Sequence, residues 1–148
     1  MSWNPDQPDR RKNRSNVPSE AVKKQLEAIA QDGRLKAALL ADEDGLTVVN
    51  IESDHDTESF AALAGFLWNT SKEIESVAGL TKIDQLTLTD PEGDTIICRF
   101  FELLGQPVVL GVIAADGDDS RRPFTDRAIA GIKRIFAQAQ EDAQQGDV

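Results

Sequence analysis

The sequence predicts a mixed α/β sandwich: a central five-stranded antiparallel sheet with helices on both faces. Three observations lead there. The hydrophobic period switches in the order helix, strand, strand, helix, strand, strand, strand, helix. Two of the strands, 35–41 and 108–114, are apolar without alternation and so need cover on both faces. The stretch 56–79, DTESFAALAGFLWNTSKEIESVAG, forms a helix about 33 Å long at ~1.5 Å per residue, enough to cross five strands that span roughly 20 to 24 Å.

Residues 1–16, MSWNPDQPDRRKNRSN, are polar, proline-bearing and without period, which predicts a disordered basic tail. Arg10, Arg11, Lys12 and Arg14 read first as a solvated arm. Their second reading is a short linear motif, with Trp3 as anchor, for an acidic partner or a membrane surface. In residues 18–31, Val22, Leu26 and Ile29 recur at helical spacing, with Pro18 suited to the start and Gly33 to the end. A strand over 35–41, the turn Asp42-Glu43-Asp44-Gly45 and a strand over 46–51 make a hairpin. The acidic run Ser53-Asp54-His55-Asp56 then leads into the central helix, with Asp56 or Thr57 as N-cap and Glu58 in the first turn. A single His55 between carboxylates, with no second His or Cys nearby, reads as cap and loop and not as a metal site.

Within the central helix, Phe60, Leu63, Leu67, Ile74 and Ala78 fall on one core-facing stripe. Ala61, Ala64, Gly65 and Trp68 lie on the flank beyond it and Phe66 on the opposite flank, so the first three turns are apolar or small nearly all round. Gly65 sharpens the point, because Gly costs about 1 kcal/mol against Ala inside a helix and is best explained by close backbone approach. The flank of Ala61, Ala64, Gly65 and Trp68 is therefore expected to meet a second protein chain; a helix buried on all sides within one chain is the alternative.

Gly79 ends the helix. Residues 83–90 alternate Leu86 and Leu88 with Thr87 and Thr89, a half-exposed strand without the lysine, proline or bulge that usually protects an edge. Turns at Pro91-Glu92-Gly93 and Gly105-Gln106-Pro107 join it to strands 94–103 and 108–114, a three-stranded meander in which Cys98 is a small core residue. The loop 116–122, DGDDSRR, lacks the spaced acids and distal glutamate of a calcium loop. Pro123 opens a last helix with Phe124, Ala128, Ile132 and Ile135 on one face and Ile129 and Phe136 beside it. The domain is expected over 17–139, with a frayed acidic tail over 140–148.

A formal charge of −10, from 26 acids against 16 bases, disfavours nucleic acid as a partner. Residues 1–18 are net +2, from four bases against two acids, so the other 130 carry −12. One cysteine excludes an internal disulfide and a multi-cysteine metal site. No N-terminal run resembles a secretory signal, and the longest apolar stretch, 107–115, is too short to span a bilayer. A cytoplasmic protein without cofactor or metal is expected, and the sequons Asn13-Arg14-Ser15 and Asn69-Thr70-Ser71 are then accidental.

These pieces in this order resemble the Roadblock (dynein light-chain) family, a branch of the longin-like and profilin-like folds. The resemblance spans residues 22–136. It rests on the turn Asp42-Glu43-Asp44-Gly45-Leu46, the small-residue helix FAALAGFLWNTSKEI, the strand 85–90, the Pro91-Glu92-Gly93 hairpin and the VVLGVIA strand before a final helix. It implies a dimer formed by the central helices and by an edge strand that extends the sheet across the two-fold axis. Ala61, Ala64, Gly65 and Trp68 would make the helix contact, and Leu86, Thr87, Leu88 and Thr89 the edge. It also implies a small Ras-like GTPase as partner, and a heterodimer with a related domain as the variant of the homodimer.

The chain has no GxxxxGK[ST] phosphate loop, no HExxH, no GxSxG and no paired Cys and His, so it is expected to be neither a GTPase nor another enzyme. An arginine finger is one way to activate a GTPase, but Arg34, Arg99, Arg121 and Arg122 each read as a surface charge. The expectation is a non-enzymatic dimeric regulator or scaffold that binds a small GTPase and modulates its nucleotide cycle or localisation. The alternative is a small-molecule-sensing or purely structural adaptor domain, although bulky Val, Ile, Leu and Phe in the strands leave little room for a ligand.

Overall fold

A computed structural model of the chain describes residues 10–115 and 121–145, with side chains from Pro18 onward. The beginning of the expected tail and most of the loop 116–122 lie outside the described residues. Eight elements follow in the expected order: α1 (Arg10–Gly33), β1 (Leu35–Asp42), β2 (Thr47–Asn50), α2 (Thr57–Ala78), β3 (Gln85–Thr89), β4 (Thr95–Leu103), β5 (Gln106–Ala114) and α3 (Arg122–Gln145).

The strands form one antiparallel sheet in the order β2-β1-β5-β4-β3. The apolar run of β5 takes a central position between β1 and β4, as a strand buried on both faces must. Alternation along the strands sorts side chains into two cores. On one face, Val22, Leu26 and Ile29 of α1 and Ala128 and Ile132 of α3 pack on Leu40, Leu110 and Val112. On the other, Phe60, Ala61, Ala64 and Leu67 of α2 pack on Leu39, Cys98, Phe100 and Val109. Burial in this second core pushes the Cys98 thiol up to about 12.

Two helices run beyond their expected ends. α1 begins at Arg10, so residues 10–16 are helical and Pro18 stands inside the helix. The cost is one backbone hydrogen bond, because proline has no N–H to donate to the carbonyl four residues earlier. α3 continues to Gln145. Arg, Lys, Gln, Glu and Ala dominate these extensions and are good helix formers, so loss of apolar periodicity marks where burial thins and not where the helix stops.

The ends of α2 follow local chemistry. Asp56 caps it: its carboxylate accepts from the Ser59 backbone N–H (3.2 Å) and from the Ser59 hydroxyl (2.8 Å). Those bonds hold the Asp56 carboxyl below its ordinary value. Gly79 closes the helix at φ 70°, the left-handed conformation that glycine adopts without strain, and donates its N–H to the Glu75 carbonyl.

Candidate interaction surface

The inward face of α2 is made by Phe60, Ala61, Ala64, Gly65, Leu67 and Ser71. Ala61 and Ala64 have no exposed surface. Gly65 lies against the β1–β2 turn of its own chain, so closely that a Cβ placed on it would stand 2.6 Å from both Cα and N of Gly45. Asn69 spans the contact, its Nδ2 donating to the Gly65 carbonyl of its own helix at 3.0 Å and to the Glu43 carbonyl of the turn at 3.5 Å. The close approach that Gly65 signals is real, but its partner is Gly45, at φ 82° in the Asp-Glu-Asp-Gly turn, and not another chain. Ala61, Ala64 and Gly65 are thus corrected from an outer flank to core. Trp68 is half-buried against the same core, with the Lys72 ammonium 5.4 Å from its ring centroid.

The face of α2 that turns away from the sheet has the larger side chains. Phe66 is 64% exposed and Val77 90%. With half-buried Leu63 and Thr70 and exposed Ile74 they make one stripe at i, i+3, i+7, i+11 and i+14 spacing. Leu63, Ile74 and Ala78, expected in the core, are therefore half-buried or exposed. The helix lies with its smallest residues against the sheet because only they admit so close an approach, and this rotates the bulky positions outward.

The expected edge is where the sequence places it. β3 is the last strand of the sheet and pairs only with β4 within the chain. Its register sets Leu86 opposite Cys98 and Leu88 opposite Ile96, on the α2 side. α2 packs chiefly over β1 and β5, so β3 lies beyond its cover and Leu88 is 44% exposed, while Thr87 and Thr89 are exposed too.

The arginines differ from expectation in one respect. Arg99 is buried, and its Nη1 donates to Thr125 Oγ1 at 2.7 Å and pairs with Asp126 Oδ1 at 2.8 Å. Arg121 is buried as well, whereas Arg122 is exposed and bridges Asp84 and Gln85. Arg99 is thus part of the α3 anchorage, and neither it nor Arg121 is a surface charge; a polar residue in a strand gives no sequence sign that its head will be buried against a helix N-terminus.

His55 belongs to a loop brace. Its Nδ1 lies 3.1 Å from Ser53 Oγ, while its Nε2 is 3.9 Å from Asp94, a carboxylate already held by Lys36 at 2.8 Å. Among the described residues no group of three or more His, Cys, Asp or Glu is arranged to hold a metal. Nor is any described helix long and apolar enough to cross a membrane.

No protein-family model and no curated protein matches the chain by sequence. Solved structures do match its fold. MglB of Myxococcus xanthus, 17% identical, aligns over 79% of this chain and 95% of its own with a TM-score of 0.68. The gliding protein MglB of Thermus thermophilus, 16% identical, aligns over 82% of this chain and 93% of its own with a TM-score of 0.70. A Roadblock/LC7 domain from Streptomyces avermitilis, 17% identical, aligns over 80% of this chain and 97% of its own with a TM-score of 0.63. The order of elements, the sheet and these neighbours agree that the chain has a Roadblock-like longin fold.

Proposed function

We propose that the chain is a non-enzymatic subunit that pairs with a second copy of itself and presents the paired surface to a small Ras-like GTPase, whose nucleotide cycle or location it controls. The observation that carries this reading is the outer face of α2. The inner face is already used up against the sheet and the β1–β2 turn, yet Phe66, Ile74 and Val77 remain exposed on one stripe of the same helix. Single exposed apolar residues need no explanation, whereas a stripe of them beside an unprotected edge strand marks an interaction site. An isologous contact sets each stripe and each edge against its own copy. Such a dimer needs about 800 Å² buried per subunit, which a helix face plus a strand pairing supplies.

The GTPase half of the reading draws its support from the Roadblock resemblance and from the fold shared with a gliding protein. It is tested by mixing the purified chain with the small Ras-like GTPases of the source genome, each loaded with GDP or a GTP analogue. Complex formation by gel filtration and the rates of hydrolysis and nucleotide exchange are then measured. A complex selective for one nucleotide state, or a changed rate, supports the proposal. No complex and no rate change with any of them overturns it.

A further inference from the structure

At one end of the sheet two hairpin turns stand side by side, because the last residue of β1, Asp42, pairs with Val108 near the start of β5. Between them and α3 lies an apolar groove of about 410 Å³. Leu40, Leu103 and Val108 floor it, and Val48, Leu104 and Phe136 form its walls. The acidic turn Asp42-Glu43-Asp44 is its rim.

Two features of this groove are unexplained by the fold. Leu104 is 57% exposed and sits at φ 52°, followed by Gly105 at φ 81°. That pair of positive angles is the two-residue hairpin turn that favours Asn, Asp or Gly at its first position and disfavours a bulky residue there. A leucine in that place strains the turn and contributes little to its own core. The second feature is the rim. Asp42 is occupied, its Oδ1 accepting from the N–H groups of Asp44 and Leu46, but the carboxylates of Glu43 and Asp44 have no ion pair among the described residues.

The chemistry that complements an apolar floor with an anionic rim is an aromatic or aliphatic anchor followed by cations. In a chain of net charge −10, such a segment occurs at the N-terminus, where Trp3 is followed by Arg10, Arg11, Lys12 and Arg14. We propose that the groove receives this N-terminal segment from a second copy of the chain, the cations along Glu43 and Asp44 and Trp3 toward the apolar floor. Another copy is the donor because α1 is helical from Arg10. Its basic turns lie about 6–12 Å beyond Pro18 along the helix axis. α1 and α3 run antiparallel, with Phe124 against Gly33, Gln25 against Gly131 and Pro18 lining a cleft with Ile135, Gln138 and Asp142, so the turns before Pro18 lead toward the C-terminal end of α3 and away from the groove's wall at Phe136. The chain's own basic turns therefore run past its own groove.

The donor is proposed to be a copy outside the two-fold pair, so the contact is heterologous and adds copies beyond the dimer. Sedimentation velocity of the full chain at about 0.05 M and about 0.5 M salt reads it out, since exposed charges are screened over the shorter Debye length at high salt. The expected result is species heavier than the dimer at low salt that dissociate at high salt. The pair Glu43→Lys, Asp44→Lys and the pair Arg10→Glu, Arg11→Glu each abolish them, and the two pairs combined restore them. Leu104→Asn weakens the association by about tenfold, the scale of losing an interface anchor, while its melting temperature holds or rises because the turn is relieved.

Absence of heavier species at low salt overturns the proposal. So does survival of the association in either charge-reversed pair, failure of the combination to restore it, or wild-type association by Leu104→Asn. The test is separate from that of the α2 dimer: Phe66→Glu removes the two-fold contact and leaves the salt-dependent one in place.

Discussion

Replacing Gly65 with alanine adds one carbon where two backbones cross. The new Cβ would stand 2.6 Å from Gly45 Cα, against an ordinary carbon–carbon separation of about 3.5–4.0 Å, so helix and turn must part by roughly 1 Å. Neither gives way easily. A Cβ on Gly45 would itself be 3.0 Å from Ala62 Cα, and the turn is tied down by the two bonds to the Asp42 carboxylate. Forcing extra volume into a packed site costs about 1–3 kcal/mol, and the upper part of that range, about 2–3 kcal/mol, applies where backbone meets backbone, while alanine regains about 1 kcal/mol of helix propensity. The steric term wins, with a net loss of about 1–2 kcal/mol. For a chain of this size that lowers Tm by roughly 2–8 °C. Thermal and urea unfolding followed by circular dichroism, at one fixed protomer concentration, measure it. An unchanged or raised Tm refutes the crossing of α2 on the β1–β2 turn. Gly65→Glu, by the same geometry, unfolds the chain instead of only parting a dimer.

Three further outcomes follow from the geometry. Thr125→Val removes the hydroxyl that accepts from buried Arg99 and is expected to cost about 1.5–3 kcal/mol in urea unfolding, the range for hydrogen bonds to charged groups; a loss below about 0.5 kcal/mol contradicts it. Asp56→Asn lowers Tm at neutral pH. Because the folded pKa of Asp56 is depressed from 3.8 by its bonds to Ser59, the stabilisation is complete above that value and is lost as pH falls through the lower folded pKa. The Tm gap between Asp56→Asn and wild type therefore narrows in acid, and a gap independent of pH counts against the cap. Cys98, with its thiol pushed up to about 12, reacts with a disulfide reagent at pH 8 far more slowly in the native chain than in denaturant; equal rates place the thiol at the surface.

What the sequence makes legible is periodicity and punctuation. Val22, Leu26 and Ile29 in α1, and Ala128 and Ile132 in α3, belong to the core by spacing alone and are buried there. The Asp-Glu-Asp-Gly and Pro-Glu-Gly turns fix the hairpins, and the open β3 edge follows from its missing protection. The orientation of α2 is not legible in the same way. Apolar residues encircle its first turns, and hydrophobicity weights Leu63 and Ile74 above Ala61 and Ala64, whereas packing against a sheet selects for closeness. A glycine pair supplies the needed signal, since Gly65 only makes sense opposite another backbone that lacks a side chain, and Gly45 is one. The burial of Arg99 has no local sign at all, because its partners Thr125 and Asp126 lie 26 and 27 residues away on another element.

The outer stripe of α2, and not its small-residue flank, is the surface proposed to carry the two-fold contact. Sedimentation equilibrium of the full chain and of Phe66→Glu, across a wide concentration range and at high salt, tests it most directly. A dimer for the wild type, and a monomer with native circular dichroism for Phe66→Glu, is the predicted result. A monomeric wild type, or a Phe66→Glu chain that folds and remains dimeric, contradicts the assignment of that face.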